Sequence, residues 1–94
     1  MIDIETIVGK AITKALKPVI KKSIEKEGYT FTALTNCGYE MREYSLQVGF
    51  IKEGKKYWGF IDIEPYGSYT NLSFTAYLET DNEEYVDVDL DLTF

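Results

Sequence analysis

The chain has 94 residues, with ten Lys and Arg against sixteen Asp and Glu, a net charge of −6 and an isoelectric point of about 4.5. This length has room for one hydrophobic core, and a hydrophobic fraction of 45% is enough to form it, so we expect a single domain over residues 1–94. The chain has no His and a single Cys, which excludes a Ser-His-Asp triad, a Cys-His catalytic pair and a disulfide framework.

Residues 1–28 form the predicted helix. Their apolar residues recur at intervals of three and four, which places them on one face of an α-helix. Asp3 is the predicted N-cap, and Gly28 is the expected residue after the last turn. Pro18 lacks a backbone donor and clashes with the carbonyl four residues earlier, so we predict that the helix is kinked or broken there.

Residues 29–94 form the predicted sheet, because the apolar period changes to two after the helix. The predicted strands are 29–36, 39–52, 55–64, 69–80 and 84–94. The breaks between them contain turn-forming residues, at Cys37-Gly38, Glu53-Gly54, Pro65 to Ser68 and Asp81 to Glu83. Loops this short join only antiparallel neighbours, which gives a five-stranded antiparallel meander. With the helix packed on the apolar face of this sheet, the fold class is α+β.

The turn lengths also predict the register, because paired residues must point to the same face of a sheet. The predicted pairs are Tyr29 with Leu46, Phe31 with Tyr44, Phe50 with Tyr57, Gly49 with Trp58, Val48 with Gly59, Leu46 with Ile61, Gly59 with Phe74, Ile61 with Leu72, Leu78 with Val86, Ala76 with Val88, Phe74 with Leu90, and Leu72 with Leu92. Every turn then keeps the apolar residues in phase. The predicted core includes Leu16, Ile20, Phe74, Val88 and Leu90.

The opposite face of the predicted sheet is acidic. Residues 1–28 have a net charge of +2 and residues 29–94 a net charge of −8, and from Glu79 to Phe94 there are seven carboxylates and no base. Acidic side chains among aromatic ones alternate along the last three strands. One interpretation is a solvated face, which is common on antiparallel sheets and promotes solubility. The other is a binding face, because Asp is a poor strand former and alternate Asp residues repel each other.

The spacing of the carboxylates favours a basic partner. Alternate residues on a strand lie about 6.8 Å apart, which is close to the separation of successive phosphates in a nucleic acid. Carboxylates at this pitch can occupy a Lys/Arg groove built for DNA or RNA, with exposed aromatic rings as anchors. The predicted partner-binding residues are Trp58, Phe60, Asp62, Glu64, Tyr77, Glu79, Tyr85, Asp87, Asp89 and Asp91. For Trp58 there is an alternative role, since its ring can cover the facing Gly49.

Other chemistry finds little support in the sequence. Three alternate Asp on one strand spread apart instead of converging on a calcium ion, and nothing predicts a cleft or a raised pKa for Asp62 or Glu64. Cys37 has no partner base. We therefore expect no enzyme activity, no metal ion and no other cofactor.

The expected cellular location follows from the targeting and membrane segments that the sequence lacks. No signal peptide or membrane-spanning run is present, so we expect a cytoplasmic protein without membrane contact.

Nucleic-acid contact concerns both the sheet and the helix. Direct nucleic-acid binding by the sheet is not expected, because a sheet whose aromatic side chains stack on nucleobases also needs Lys or Arg residues among them. The helix carries a weak basic stripe of Lys10, Lys14, Lys17 and Lys21, which is typical of a solvated face; membrane-surface or nucleic-acid contact is the alternative.

At the level of a class, the chain resembles the small acidic proteins of phages and mobile elements, including anti-CRISPR and other anti-defence inhibitors. The features behind the resemblance are the size, the Met1 start, the absence of His, and an acidic surface of Asp62, Glu64, Glu83, Glu84, Asp87, Asp89 and Asp91. The resemblance implies a DNA mimic that inhibits a basic protein or nucleoprotein complex, such as a nuclease, in the cytoplasm of a host cell. The alternative is a structural or accessory protein, including a homodimer, whose acidic face is only solvated.

Overall fold

The structure, a computed structural model, describes residues 4–64 and 71–92. Its elements are helix α1 (Ile4–Lys26) and strands β1 (Thr30–Glu40), β2 (Glu43–Lys52), β3 (Lys55–Ile63), β4 (Asn71–Leu78) and β5 (Asp81–Asp91). The strands form one antiparallel sheet in the order β1-β2-β3-β4-β5, with α1 on one face. This arrangement confirms the predicted α+β fold and meander. The predicted N-cap Asp3, the predicted loop at 65–68 and Tyr69 lie outside the described residues.

Helix α1 continues through Pro18 as one helix of 23 residues, so of the two predicted alternatives the broken helix is wrong. Pro18 and Lys14 both lie on the solvent side, where water can bind the Lys14 carbonyl that loses its helical donor. On the opposite side Ile20 and Ile24 are fully buried in the core. Burial on the sheet side therefore holds the helix together while solvent satisfies the other side.

The C-terminal end of α1 follows the sequence prediction. Gly28 has a φ of 89°, and its N–H donates to the Glu25 carbonyl, with an N···O distance of 3.0 Å. The N–H of Tyr29 donates to the Ile24 carbonyl at 3.3 Å. These two bonds form a Schellman motif, which satisfies terminal carbonyls and directs the chain into β1.

The β2–β3 hairpin confirms the predicted pairing. Glu53 and Gly54 form its two-residue turn with φ values of 52° and 77°, and a type I′ turn requires both residues to be left-handed. The observed pairs include all those predicted for these strands, namely Phe50 with Tyr57, Gly49 with Trp58, Val48 with Gly59 and Leu46 with Ile61. The centre of the sheet therefore has the register that its sequence indicates.

The β1–β2 hairpin differs from the prediction. Its turn lies at Met41-Arg42, with φ values of 52° and 68°, and the predicted turn at Cys37-Gly38 is a bulge within β1 instead. At this bulge the Gly38 N–H donates to Asn36 Oδ1 at 3.0 Å, so the turn-like sequence closes a local hydrogen bond without reversing the chain. The predicted pairs of Tyr29 with Leu46 and Phe31 with Tyr44 are therefore wrong; Phe31 pairs with Phe50, Asn36 with Leu46 and Tyr39 with Tyr44.

The two later ladders are shifted by two residues from the prediction. The β4–β5 turn is the two-residue Glu79-Thr80, which brings Leu78 opposite Asp81, and not the predicted loop from Asp81 to Glu83. The shift between β3 and β4 overturns the predicted pairs Gly59 with Phe74 and Ile61 with Leu72. The shift between β4 and β5 overturns Leu78 with Val86, Ala76 with Val88, Phe74 with Leu90 and Leu72 with Leu92. The observed pairs are Gly59 with Ala76, Phe74 with Val88 and Leu72 with Leu90. A shift of two preserves the face of every side chain, so the predicted core survives it.

The core lies between α1 and the sheet. Ile20, Phe74, Val88 and Leu90 are buried as predicted, and Leu16 is partly buried against them. Near the start of α1, a Cβ added at Gly9 would lie 2.1 Å from Asn36 Nδ2, so the absence of a side chain lets the helix approach β1 closely. Near its end, the buried Ser23 accepts a hydrogen bond from the backbone N–H of Asp91 at 2.8 Å. The helix thus contacts both edge strands, β1 and β5.

Candidate interaction face

The side of the sheet opposite α1, called the outer face from here on, carries the predicted partner-binding residues. Nine of these ten side chains are exposed, and Trp58 is half-buried. Their places are Trp58, Phe60 and Asp62 on β3, Glu64 directly after β3, Tyr77 on β4, Glu79 in the following turn, and Tyr85, Asp87, Asp89 and Asp91 on β5. The strand alternation therefore brings the whole predicted set to one side of the molecule.

Trp58 covers a glycine on the neighbouring strand, as the register predicted. A Cβ added at Gly49 would lie 2.6 Å from Trp58 Cζ3, so the indole ring occupies the space that a side chain would need. The ring nitrogen donates a hydrogen bond to Glu79 Oε2 at 3.0 Å. Trp58 is thus held both over β2 and against the end of β4, which fixes the orientation of the Glu79 carboxylate.

An aromatic row crosses three strands of the outer face. Trp58 pairs with Tyr77, and Tyr77 pairs with Tyr85. The two tyrosine rings have centroids 6.0 Å apart and are tilted by 53°. Tyr77 is 46% exposed, Tyr85 61% and the nearby Phe60 57%. Large exposed aromatic surface of this kind is enriched at protein interfaces.

The aspartates of β5 form a second row, which lies on an edge strand. Thr75 Oγ1 donates to Asp87 Oδ1 at 2.7 Å, and Ser73 Oγ donates to Asp89 Oδ1. Both bonds join directly opposite residues of β4 and β5. The hydroxyls fix the direction of these carboxylates without neutralising them. Sequence reasoning missed this role of Ser73 and Thr75, because the predicted register placed them opposite other residues.

The charges of the molecule are divided between its two layers. Six of the ten basic residues are lysines of α1, and no Lys or Arg follows Lys56 in the sequence. The nine carboxylates after Lys56 are Asp62, Glu64, Glu79, Asp81, Glu83, Glu84, Asp87, Asp89 and Asp91. Among them Glu84 is bound by the Lys55 ammonium at 3.5 Å and by the Tyr57 hydroxyl at 3.3 Å, at the end of the sheet. The outer positions of β5 carry negative charge, and neither β4 nor β5 contains a Lys or Arg.

The carboxylates of the outer face are exposed and spread over several positions. Asp62 and Glu64, the carboxylates considered for acid–base chemistry, are both exposed, and the three aspartates are spread along one strand. Over residues 4–64 and 71–92, no three His, Cys, Asp or Glu side chains are placed to hold one metal ion. The arrangement presents fixed carboxylates beside exposed rings, which can meet cationic side chains of another molecule.

Comparisons with family models, curated proteins and solved structures found no match to this chain. In the part of the chain that the structure describes, no helix has both the length and the apolarity to cross a membrane. The geometry and charge of the outer face are therefore the basis for a functional proposal.

Proposed function

We propose that this protein is a non-enzymatic binding protein whose outer face engages a basic, nucleic-acid-handling partner and inhibits it. The observation that carries the proposal is the row of exposed aspartates on β5, beside the exposed rings of Tyr77 and Tyr85, on two strands, β4 and β5, that contain no Lys or Arg. Negative potential over such a surface attracts basic partners and speeds their association. The aromatic rings supply the apolar contact that charge alone does not provide.

The spacing and fixation of the aspartates support mimicry of a nucleic-acid strand. Asp87, Asp89 and Asp91 alternate on an extended strand, so their spacing is about 6.8 Å. Hydrogen bonds from Thr75 and Ser73 hold two of them in place, which reduces the entropy lost when a partner binds. Lysines and arginines arranged for phosphates would meet carboxylates at a similar pitch. Occupation of that groove excludes DNA or RNA, which is how the anti-CRISPR-like inhibitors that this chain resembles are expected to act.

Inhibition can be measured with a panel of purified nucleases and CRISPR effector complexes. We expect the native protein to reduce nucleic-acid cleavage by at least one of them, and nucleic acid in excess to relieve the inhibition by competition. The triple variant Asp87→Asn, Asp89→Asn and Asp91→Asn should lose most of the effect.

The control for this assay is a variant with the same change in net charge elsewhere. Glu25, Glu27 and Glu53 are exposed and lie away from the outer positions of β3 to β5, so their replacement by Gln should leave inhibition intact. Equal loss of inhibition in both triple variants would reduce the effect to net charge and contradict a specific acidic face.

A structural or accessory protein is the second candidate, and the position of β5 favours it. Charged side chains on an edge strand prevent edge-to-edge association of sheets, which gives the three aspartates a purpose without a partner. A homodimer formed face to face through the outer face would bring like charges together. Analytical ultracentrifugation at low and high salt tests that dimer: association that grows with salt supports it, and a monomer under both conditions excludes it.

A further inference from the structure

The tyrosine pair of the aromatic row lies between two carboxylates. Tyr77 and Tyr85 are directly paired on antiparallel strands. Glu79 follows Tyr77 by two residues along the chain, and Asp87 follows Tyr85 by two residues in the opposite direction. The two exposed rings are therefore flanked by a negative charge on each side.

Both flanking carboxylates are fixed by a neighbour on the adjacent strand. Trp58 Nε1 donates to Oε2 of Glu79, and Thr75 Oγ1 donates to Oδ1 of Asp87. No hydrogen bond within residues 4–64 and 71–92 uses the other oxygen of either carboxylate. Each group thus keeps an oriented acceptor for a charge-assisted hydrogen bond to a cation.

We propose that this tyrosine pair is the binding site for an arginine side chain of the basic partner. A guanidinium can stack on a tyrosine ring while its N–H groups donate to Glu79 or Asp87. A lysine ammonium is more strongly hydrated and has no planar face to stack, so it gains less here. The inference rests on the proposed function and deepens it, because it selects arginine among the basic residues of the partner.

Other occupants fit this place less well. A nucleobase can stack on tyrosine, but the phosphates of its nucleic-acid strand would lie near Glu79, Asp87 and the remaining β5 carboxylates, which repel them. A second copy of the outer face would bring the same carboxylates into opposition. A cation with a planar face satisfies both the rings and the charges.

The test compares two nine-residue peptides, one entirely arginine and one entirely lysine, which carry equal charge. Each is titrated into the full chain at about 0.1 M salt, and the fluorescence of Trp58, the only tryptophan, reports binding beside it. We expect the arginine peptide to bind about two- to fivefold more tightly, which corresponds to one exposed cation–π contact.

Matched variants distinguish the contribution of the two tyrosine rings to peptide binding from that of the rest of the outer face. Tyr77→Phe with Tyr85→Phe keeps both rings and should keep the arginine preference. Tyr77→Thr with Tyr85→Thr removes them and should make the two peptides bind equally. Tyr85→Thr alone, at the more exposed position, should reduce the preference, and circular dichroism checks that each variant is folded.

The outcomes distinguish this inference from the function on which it rests. Equal binding of both peptides to the native chain, or an arginine preference that survives removal of both rings, would overturn the inference that the tyrosine pair binds arginine. If the equally bound peptides still dissociate on replacement of Asp89 and Asp91 by Asn, the acidic face remains a binding surface. If neither peptide bound to the native chain, both proposals would be overturned.

Discussion

Two phenylalanines of neighbouring strands lie on opposite faces of the sheet. Phe74 is buried, with its ring over the Cα of Gly59 and edge-on to Phe50 at a centroid distance of 6.5 Å. Phe60, one residue after Gly59, points to the other side and is exposed. Strand alternation predicted both positions, because period two assigns faces without knowledge of the register.

Alanine at these two phenylalanines should therefore have very different effects. Phe74→Ala leaves a cavity in the core and should lower the free energy of unfolding by about 3–5 kcal/mol. Phe60→Ala removes an exposed ring and should cost less than about 1 kcal/mol. Urea denaturation measures both. Similar costs for the two variants would contradict this assignment of the faces, and a larger cost at Phe60 would mean that the faces are assigned backwards.

The hairpins show why the element boundaries were harder to predict than the faces. In both hairpins that differ from prediction, an Asn or Asp in the predicted turn region accepts a hydrogen bond from the backbone N–H two residues later: Asn36 accepts from Gly38, and Asp81 accepts from Glu83. Such local bonds occur in bulges as well as in turns, so the turn-forming residues indicated the region and not the reversal itself. The Met41-Arg42 turn has no Gly, Asn or Asp to mark it.

Replacement of Met41-Arg42 by Asn-Gly should stabilise the first hairpin. Both residues have left-handed φ values, which cost ordinary side chains about 1 kcal/mol each and which Asn and Gly adopt readily. We expect the free energy of unfolding to rise by about 1 kcal/mol. Cys37→Asn, at the predicted but unused turn, is the control and should give no such gain. A loss of stability with Asn-Gly would contradict the Met41-Arg42 turn.

The whole molecule separates its charges into layers, which the sequence showed only as a difference along the chain. The six lysines of α1 lie in the helix layer, and Asp87, Asp89 and Asp91 of β5 lie on the opposite surface of the sheet. The predicted site residues share the outer face, but the hydrogen bonds of Ser73 and Thr75 to the aspartates could be identified only from the observed register. Under the predicted pairing Tyr77 would face Asp87, and the tyrosine pair would not exist. What a partner must look like therefore depended on a two-residue shift that the pattern of apolar residues does not detect.

The most direct test of the proposed binding face is the rate of association with a nuclease that the inhibition assay identifies, measured at 0.1 M and 1 M salt. Native protein, the Asn variant of Asp87, Asp89 and Asp91, and the Gln variant of Glu25, Glu27 and Glu53 are compared. Asn keeps the acceptor oxygen that Thr75 and Ser73 bind, so the variant should stay folded while it loses three charges. At low salt the native and Gln proteins should associate fastest, and their advantage should shrink as the screening length falls from about 10 Å to about 3 Å. Equal rates for the native and Asn proteins at both salt concentrations would contradict the account and leave the outer face as a solvated surface.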